Sequence, residues 1–167
     1  KIIVVEPEDS PALYNSLKSG KREILEHVGI FADGVAVKQI GKEPYKIITQ
    51  TVDDVILVTT DEICASIKDI FDDTRSIAEP SGALALAGLK KYAHSKKNQK
   101  YVAINSGANI NFDRLRHVSE RTEIGENKEA LFAVTIPEKA GSFNKFCNSL
   151  GNRSITEFNY RYSDSEN

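Results

Sequence analysis

The sequence predicts an α/β fold around a mostly parallel sheet, and three observations carry that prediction. Short apolar, β-branched runs recur at residues 2–5, 55–58 and 101–104. Segments with helical spacing lie between them, and the connections are short. The resulting order β-α-β-α-α-β is the pattern of layered α/β proteins.

Residues 2–5 (Ile-Ile-Val-Val) are continuously apolar, as in a parallel strand covered on both faces, and end at Glu6-Pro7. Residues 11–19 place Leu13 and Leu17 at helical spacing, and Gly20 closes the segment. Residues 29–40 hold two apolar patches around Asp33-Gly34, a bend signal whose glycine admits close backbone approach. Residues 55–58 form the next strand and run into Thr59-Thr-Asp-Glu62. Thr59 with Glu62 matches a capping box. Ile63, Ile67, Ile70 and Phe71 then make one apolar helix face, expected to pack on the sheet, with Cys64 beside it.

Pro80 stands in the first turn of a helix that is small and apolar nearly all round, and therefore buried. Gly82 and Gly88 each disfavour that helix by about 1 kcal/mol relative to Ala. Close packing or ligand approach at the helix start must offset this. The strand at residues 101–104 breaks at Asn105-Ser106-Gly107, and residues 111–121 are polar and basic. A polar linker at 125–129 separates residues 1–124 from 130–167. Beyond it come a strand at 130–136, a helix at 142–150 with Phe143, Phe146, Cys147 and Leu150 on one face and Gly151 after it, and an alternating strand at 155–162. This second region is one β-α-β unit, too short for a complete effector site.

Composition excludes several classes. Hydrophobic residues at 40% and charged residues at 28% describe an ordinary soluble protein with a real core. A net charge of −2 with interspersed signs argues against nucleic-acid binding. No apolar run is long enough for a membrane span. Cys64 and Cys147 lack metal-type spacing and read as reduced core thiols in a cytoplasmic protein. The absence of Met, and the opening directly on a strand, read as a fragment.

Three segments at element boundaries could carry chemistry. Gly34-Val35 offers backbone without a Cβ, Glu79 a carboxylate at a helix start, and Ser106 a hydroxyl at a strand end, where α/β ligands sit. Each alone has a structural explanation: a bend, a charge favourable to the helix dipole, a turn.

Together with their surroundings they carry a resemblance. The runs VGIFADGVAVKQIG, AEPSGALALAGLKKY, INSGANINFDRLRHVSER and TEFNYRY occur in this order across essentially the whole chain. They resemble the biosynthetic threonine dehydratases (threonine ammonia-lyases), of the fold type II, tryptophan synthase β-like, pyridoxal-phosphate enzymes. The resemblance implies part of a three-layer α/β sandwich in residues 1–124, followed by an incomplete ACT-like α+β regulatory domain in 130–167. It implies β-elimination of L-threonine, and of L-serine, with pyridoxal phosphate. The α-proton leaves, then the β-hydroxyl, and hydrolysis yields 2-oxobutanoate and ammonia, the first step towards isoleucine. It implies allosteric isoleucine or valine and a homotetramer.

Residue by residue, Ser106 resembles the partner of the pyridine nitrogen. A neutral hydroxyl does not force that nitrogen to be protonated, which weakens the electron sink and suits elimination. Gly34 and Val35 resemble the backbone against the cofactor ring, and Glu79 the carboxylate on its other side. The Schiff-base lysine and the glycine-rich phosphate cradle lie upstream in the family, so no catalytic residue is expected in this chain and the chain alone is expected to be inactive. Some relatives bind a metal near the position of Glu6; the run Ser10-Pro11-Ala12 lacks the acidic residue expected there, so no metal is assigned. Serine racemase and the catabolic serine/threonine dehydratases are the alternatives, but they lack the extension beyond residue 125. A non-catalytic, ACT-like amino-acid-binding module is a third.

Overall fold

A computed structural model of the chain describes residues 1–94 and 98–161. The chain divides into two compact units, Lys1–Leu131 and Phe132–Asn167.

In the first unit, strands β1 (Ile3–Pro7) and β2 (Asp54–Val58) pair in parallel, with Ile3 opposite Asp54 and Pro7 opposite Val58. The parallel pairing agrees with the sequence reading. Full coverage does not, since Val4 and Val5 are only half-buried.

Helix α1 (Ala12–Ser19) ends at Gly20, whose φ of 73° is left-handed and suits glycine. Its N-cap position is Pro11, which has no side-chain oxygen to offer. The cap comes instead from β1: the Leu13 amide donates to Glu6 Oε1 (2.9 Å) and the Tyr14 amide to Glu6 Oε2 (2.8 Å). Two of the orphan donors of α1 are thus met by a buried carboxylate from another element. Burial pushes the Glu6 carboxyl above the usual range, while the two amide bonds hold it back.

A single 3-10 turn covers Asp33–Val35, and helix α2 spans Lys42–Thr51 with no buried residue. The pattern reading assigned no helix there. Helix α3 (Thr60–Thr74) opens with the expected capping box: the Thr59 amide donates to Glu62 Oε2 (2.7 Å) and the Glu62 amide to Thr59 Oγ1 (3.1 Å). Ile63, Ile67 and Ile70 are buried as expected, but Phe71 is 41% exposed.

The apolar face of α3 packs on α4 (Pro80–Ala93) and α5 (Arg114–Gly125), not on the sheet. Helix α4 packs against both strands, and α1 against β2. Its small residues allow the approach: Gly88 lies where a Cβ would run into the Val5 side chain. The core is formed by Val58, Ile63, Cys64, Ile67, Ile70, Leu84 and Val118 with alanines between them.

Residues 101–104 carry no strand, and Val102 is 92% exposed. Residues 130–136 and the described part of 155–162 carry none either; Tyr162 lies outside the described residues. The reason is physical. A strand exists through a ladder of paired amides and carbonyls, and β-propensity without a neighbour does not supply one. Among the described residues only β1 and β2 form such a ladder. After α5, the amides of Glu126, Asn127, Lys128 and Glu129 bond back to its last-turn carbonyls.

In the second unit, α6 (Ser142–Leu150) lies between two left-handed glycines, Gly141 (φ 87°) and Gly151 (φ 64°). Phe143 gathers Phe146 and Phe158 at centroid distances of 6.2 and 5.2 Å. Cys147 is only partly buried, so of the two cysteines Cys64 alone is a core thiol. Burial, with the Asp61 charge second, pushes the Cys64 thiol up to about 12.

Candidate functional site

The first turn of α4 organises the candidate site. Glu79 sits at the N-cap in extended conformation (φ −72°, ψ 160°), and Pro80 follows at the first helical position, where its missing amide costs no hydrogen bond. The Glu79 amide donates to the Gly107 carbonyl (3.0 Å). A Cβ at Gly82 would lie 2.5 Å from that carbonyl oxygen, and a Cβ at Gly107 would collide with Glu79 Oε1. Backbone therefore packs on backbone here, which accounts for the glycine at 82. Ser106, adjacent to this contact, is exposed.

The 3-10 turn meets the same helix turn. A Cβ at Gly34 would lie 2.8 Å from Ser81 Oγ and 3.1 Å from Ser81 Cβ. Gly34 is not among the positive-φ glycines, so its glycine serves close approach and not backbone conformation. Its open side faces Ser81, a neighbour the sequence reading did not name. Arg114 of α5 steadies the segment before the turn by donating to the Phe31 carbonyl (3.2 Å). Gly34 and Val35 are exposed, and Glu79 is half-buried.

The structure thus brings the three sequence segments to one place. Gly34 reaches the first turn of α4 through Ser81; Ser106 is next to Gly107, which meets that turn through Glu79 and Gly82. The residue that sequence reasoning missed is Ser81. Its Oγ is buried and has no hydrogen-bond partner among the described residues. A hydroxyl in a helix's first turn ordinarily reads as part of a cap. The signal available was its position: four residues earlier there is no helical carbonyl for it to use.

An orphaned hydroxyl, an exposed hydroxyl, one carboxylate and a stretch of bare backbone form a donor set without a cation. It suits the polar edge of a heteroaromatic ring and would repel a phosphate. No group of three His, Cys, Asp or Glu poised for a metal occurs among the described residues, and Glu6 is engaged as a cap.

The family model for pyridoxal-phosphate dependent enzymes matches residues 1–107. The chain belongs to that family. Pyridoxal phosphate is the family's cofactor, and the residues gathered at the first turn of α4 fit its ring end. A second model, for the C-terminal regulatory domain of threonine dehydratase, matches residues 120–167. The biosynthetic L-threonine dehydratase of Pasteurella multocida is 60% identical over 98% of this chain and 32% of its own length. The processed form of threonine deaminase isoform 2 from Solanum lycopersicum is similar in structure, with a TM-score of 0.71 and 43% identity over 72% of this chain and 36% of that one. Serine racemase from Dictyostelium discoideum aligns with a TM-score of 0.59 and 32% identity over 67% of this chain and 36% of its own. The chain spans about a third of the length of the curated relatives it matches. The α/β fold class is that of the fold type II pyridoxal-phosphate enzymes, followed by a regulatory C-terminal region.

No helix among the described residues is long and apolar enough to cross a membrane.

Proposed function

We propose that the chain is part of a biosynthetic threonine dehydratase, which converts L-threonine, and also L-serine, to the 2-oxo acid and ammonia. The observation that supports this most is the meeting of Gly34, Glu79 and Gly107 at one helix turn, in a chain 60% identical to a threonine dehydratase. In this reading residues 1–124 belong to the catalytic domain, 125–129 link, and 130–167 begin the regulatory domain.

When bound, pyridoxal phosphate supplies an electron sink for the substrate's Cα–H electrons. The chain's own residues hold and tune that sink. Ser106 would offer a neutral hydroxyl to the ring nitrogen, which does not force that nitrogen to be protonated. Gly34 and Val35 present backbone to one face of the ring. Glu79 borders the other side, its carboxylate kept in place by the Gly107 contact. The regulatory-domain match over residues 120–167 favours this reading over serine racemase.

The second unit has a concavity of about 300 Å³ whose lining includes Glu138, Lys139, Phe143 and Phe158. A carboxylate, an ammonium and aromatic walls suit one part of a site for a zwitterionic amino acid with an aliphatic side chain, the chemistry of isoleucine and valine. The homotetramer of this reading is tested by sedimentation. Two unbridged cysteines support a cytoplasmic, reducing setting.

The deciding experiment assays the full-length protein bearing this chain with L-threonine and follows 2-oxobutanoate. Release that isoleucine suppresses and Ser106→Ala diminishes is the expected result. Racemisation of L-serine without oxo-acid release would overturn the reading.

A further inference from the structure

Among the described residues the other buried hydroxyls are satisfied. Ser16 donates to the Ala12 carbonyl (2.6 Å), Ser66 to Glu62 (2.9 Å) and Thr122 to Val118 (2.8 Å), each using the carbonyl four residues back in its own helix. Ser10 Oγ accepts from the Gly29 amide at 2.7 Å. One other buried side-chain oxygen among the described residues lacks a hydrogen bond, Glu126 Oε2, and it is ion-paired with Lys128. Ser81 has neither resource: it is the second residue of α4, so the carbonyl four back, that of Ile77, precedes the helix. A buried hydroxyl without a partner is unfavourable, and in a native protein such a group calls for an explanation, of which a functional contact is one.

We infer that Ser81 is a further cofactor-contacting residue, its hydroxyl donating to a polar atom of bound pyridoxal phosphate. The inference rests on the cofactor reading of Gly34, Glu79 and Ser106, because Ser81 lies between them: two residues from Glu79 and directly against Gly34. What covers the hydroxyl is the 3-10 turn. That turn is exposed, and its own bonds are internal, from the Val35 amide to the Ala32 carbonyl (3.1 Å) and from the Ala36 amide to Asp33 (3.2 Å). Its Ala32 end is anchored in the core, so the exposed tip at Asp33–Val35 is the part that can shift from α4; Ser81 then exchanges an empty contact for a hydrogen bond. The apo form carries an unmet donor that the cofactor satisfies.

The test compares Ser81→Ala with wild type in the full-length protein, freed of cofactor and titrated with pyridoxal phosphate by absorbance and fluorescence. Removing an unmet buried hydroxyl should raise the melting temperature of the apo form by about 2–5 °C. The same change should weaken cofactor affinity roughly tenfold. This opposite movement is not expected of a packing residue. Unchanged affinity in Ser81→Ala, with weakened affinity in Ser106→Ala, would overturn the inference and leave the cofactor reading standing. A lower apo melting temperature in Ser81→Ala would overturn it as well, by showing that the hydroxyl is already satisfied. If wild type took up no pyridoxal phosphate, the reading and the inference would fall together.

Discussion

Arg121 Nε lies 2.9 Å from Asp61 Oδ1, joining α5 to the first turn of α3. The pair is about two-thirds shielded from solvent. Beside it, Gly125 packs against the Asp61 carbonyl so closely that a Cβ would not fit. The polar, basic stretch that the sequence left without a structural role is thus a helix fastened at its end to the core.

Arg121→Ala should lower stability by about 1 kcal/mol, the upper range for a partly exposed ion pair. The loss should shrink in high salt, because screening weakens the wild-type pair. Urea midpoints at two ionic strengths measure both effects; a loss independent of salt would assign the role to packing alone.

The glycines of α4 should respond differently to alanine. At either position the helix propensity gain is about 1 kcal/mol, whereas overpacking costs about 1–3 kcal/mol. At Gly88 the obstacle is the Val5 side chain, so Gly88→Ala should destabilise and Val5→Ala should restore part of the loss. At Gly82 the obstacle is the Gly107 backbone, which no side-chain change relieves. Gly82→Ala should therefore also weaken cofactor binding, by displacing Ser106. Thermal melts and a pyridoxal phosphate titration separate the two.

The buried Glu6 carboxyl titrates above its ordinary range because burial outweighs its two amide bonds. A carboxyl raised on folding holds more protons in the native state than in the unfolded chain. Its contribution is present below the unfolded value, about 4.3, and is lost as pH rises through the folded one. Relative to Glu6→Gln, which does not titrate, wild type should lose stability from about pH 4 upward. Chemical denaturation of both proteins at pH 4 and pH 7 gives the sign directly; a gap that widens in favour of wild type at pH 7 would contradict it.

Cys64 is buried with its thiol pushed up to about 12, so it is protonated and shielded at pH 8. Iodoacetamide should label Cys147 in the native protein and reach Cys64 only after unfolding. Peptide mapping by mass spectrometry reads the order.

Local chemistry was the legible part of this fold. The capping box at Thr59 and Glu62, Pro80 at a helix start, and Gly20 and Gly151 at helix ends all depend on residues a few positions apart, and all appear where the pattern placed them. Strands at 101–104 and 130–136 did not form, because pairing depends on a distant partner that a local run cannot reveal. Helix α2 went unnoticed because its apolar stripe is short, Tyr45 and Ile48 continued by Val52, and none of these residues is fully buried. At the candidate site, Gly34, Glu79 and Ser106 could be picked out by composition at element boundaries. Ser81 could not: an orphaned hydroxyl is a property of surroundings, visible only once Gly34 is set against it.

The contact among Glu79, Gly82 and Gly107 leaves no slack, and that shapes how the gene can drift. A side chain at 107 meets the Glu79 carboxylate, and one at 82 meets the peptide of 107. A library randomised at 79, 82 and 107 should return glycine at 82 in nearly every functional clone. At 107 the obstacle is the far end of the flexible Glu79 side chain, so small residues there should be accepted wherever the carboxylate can swing aside. Position 82, hemmed by backbone, is the fixed point about which the other two can vary.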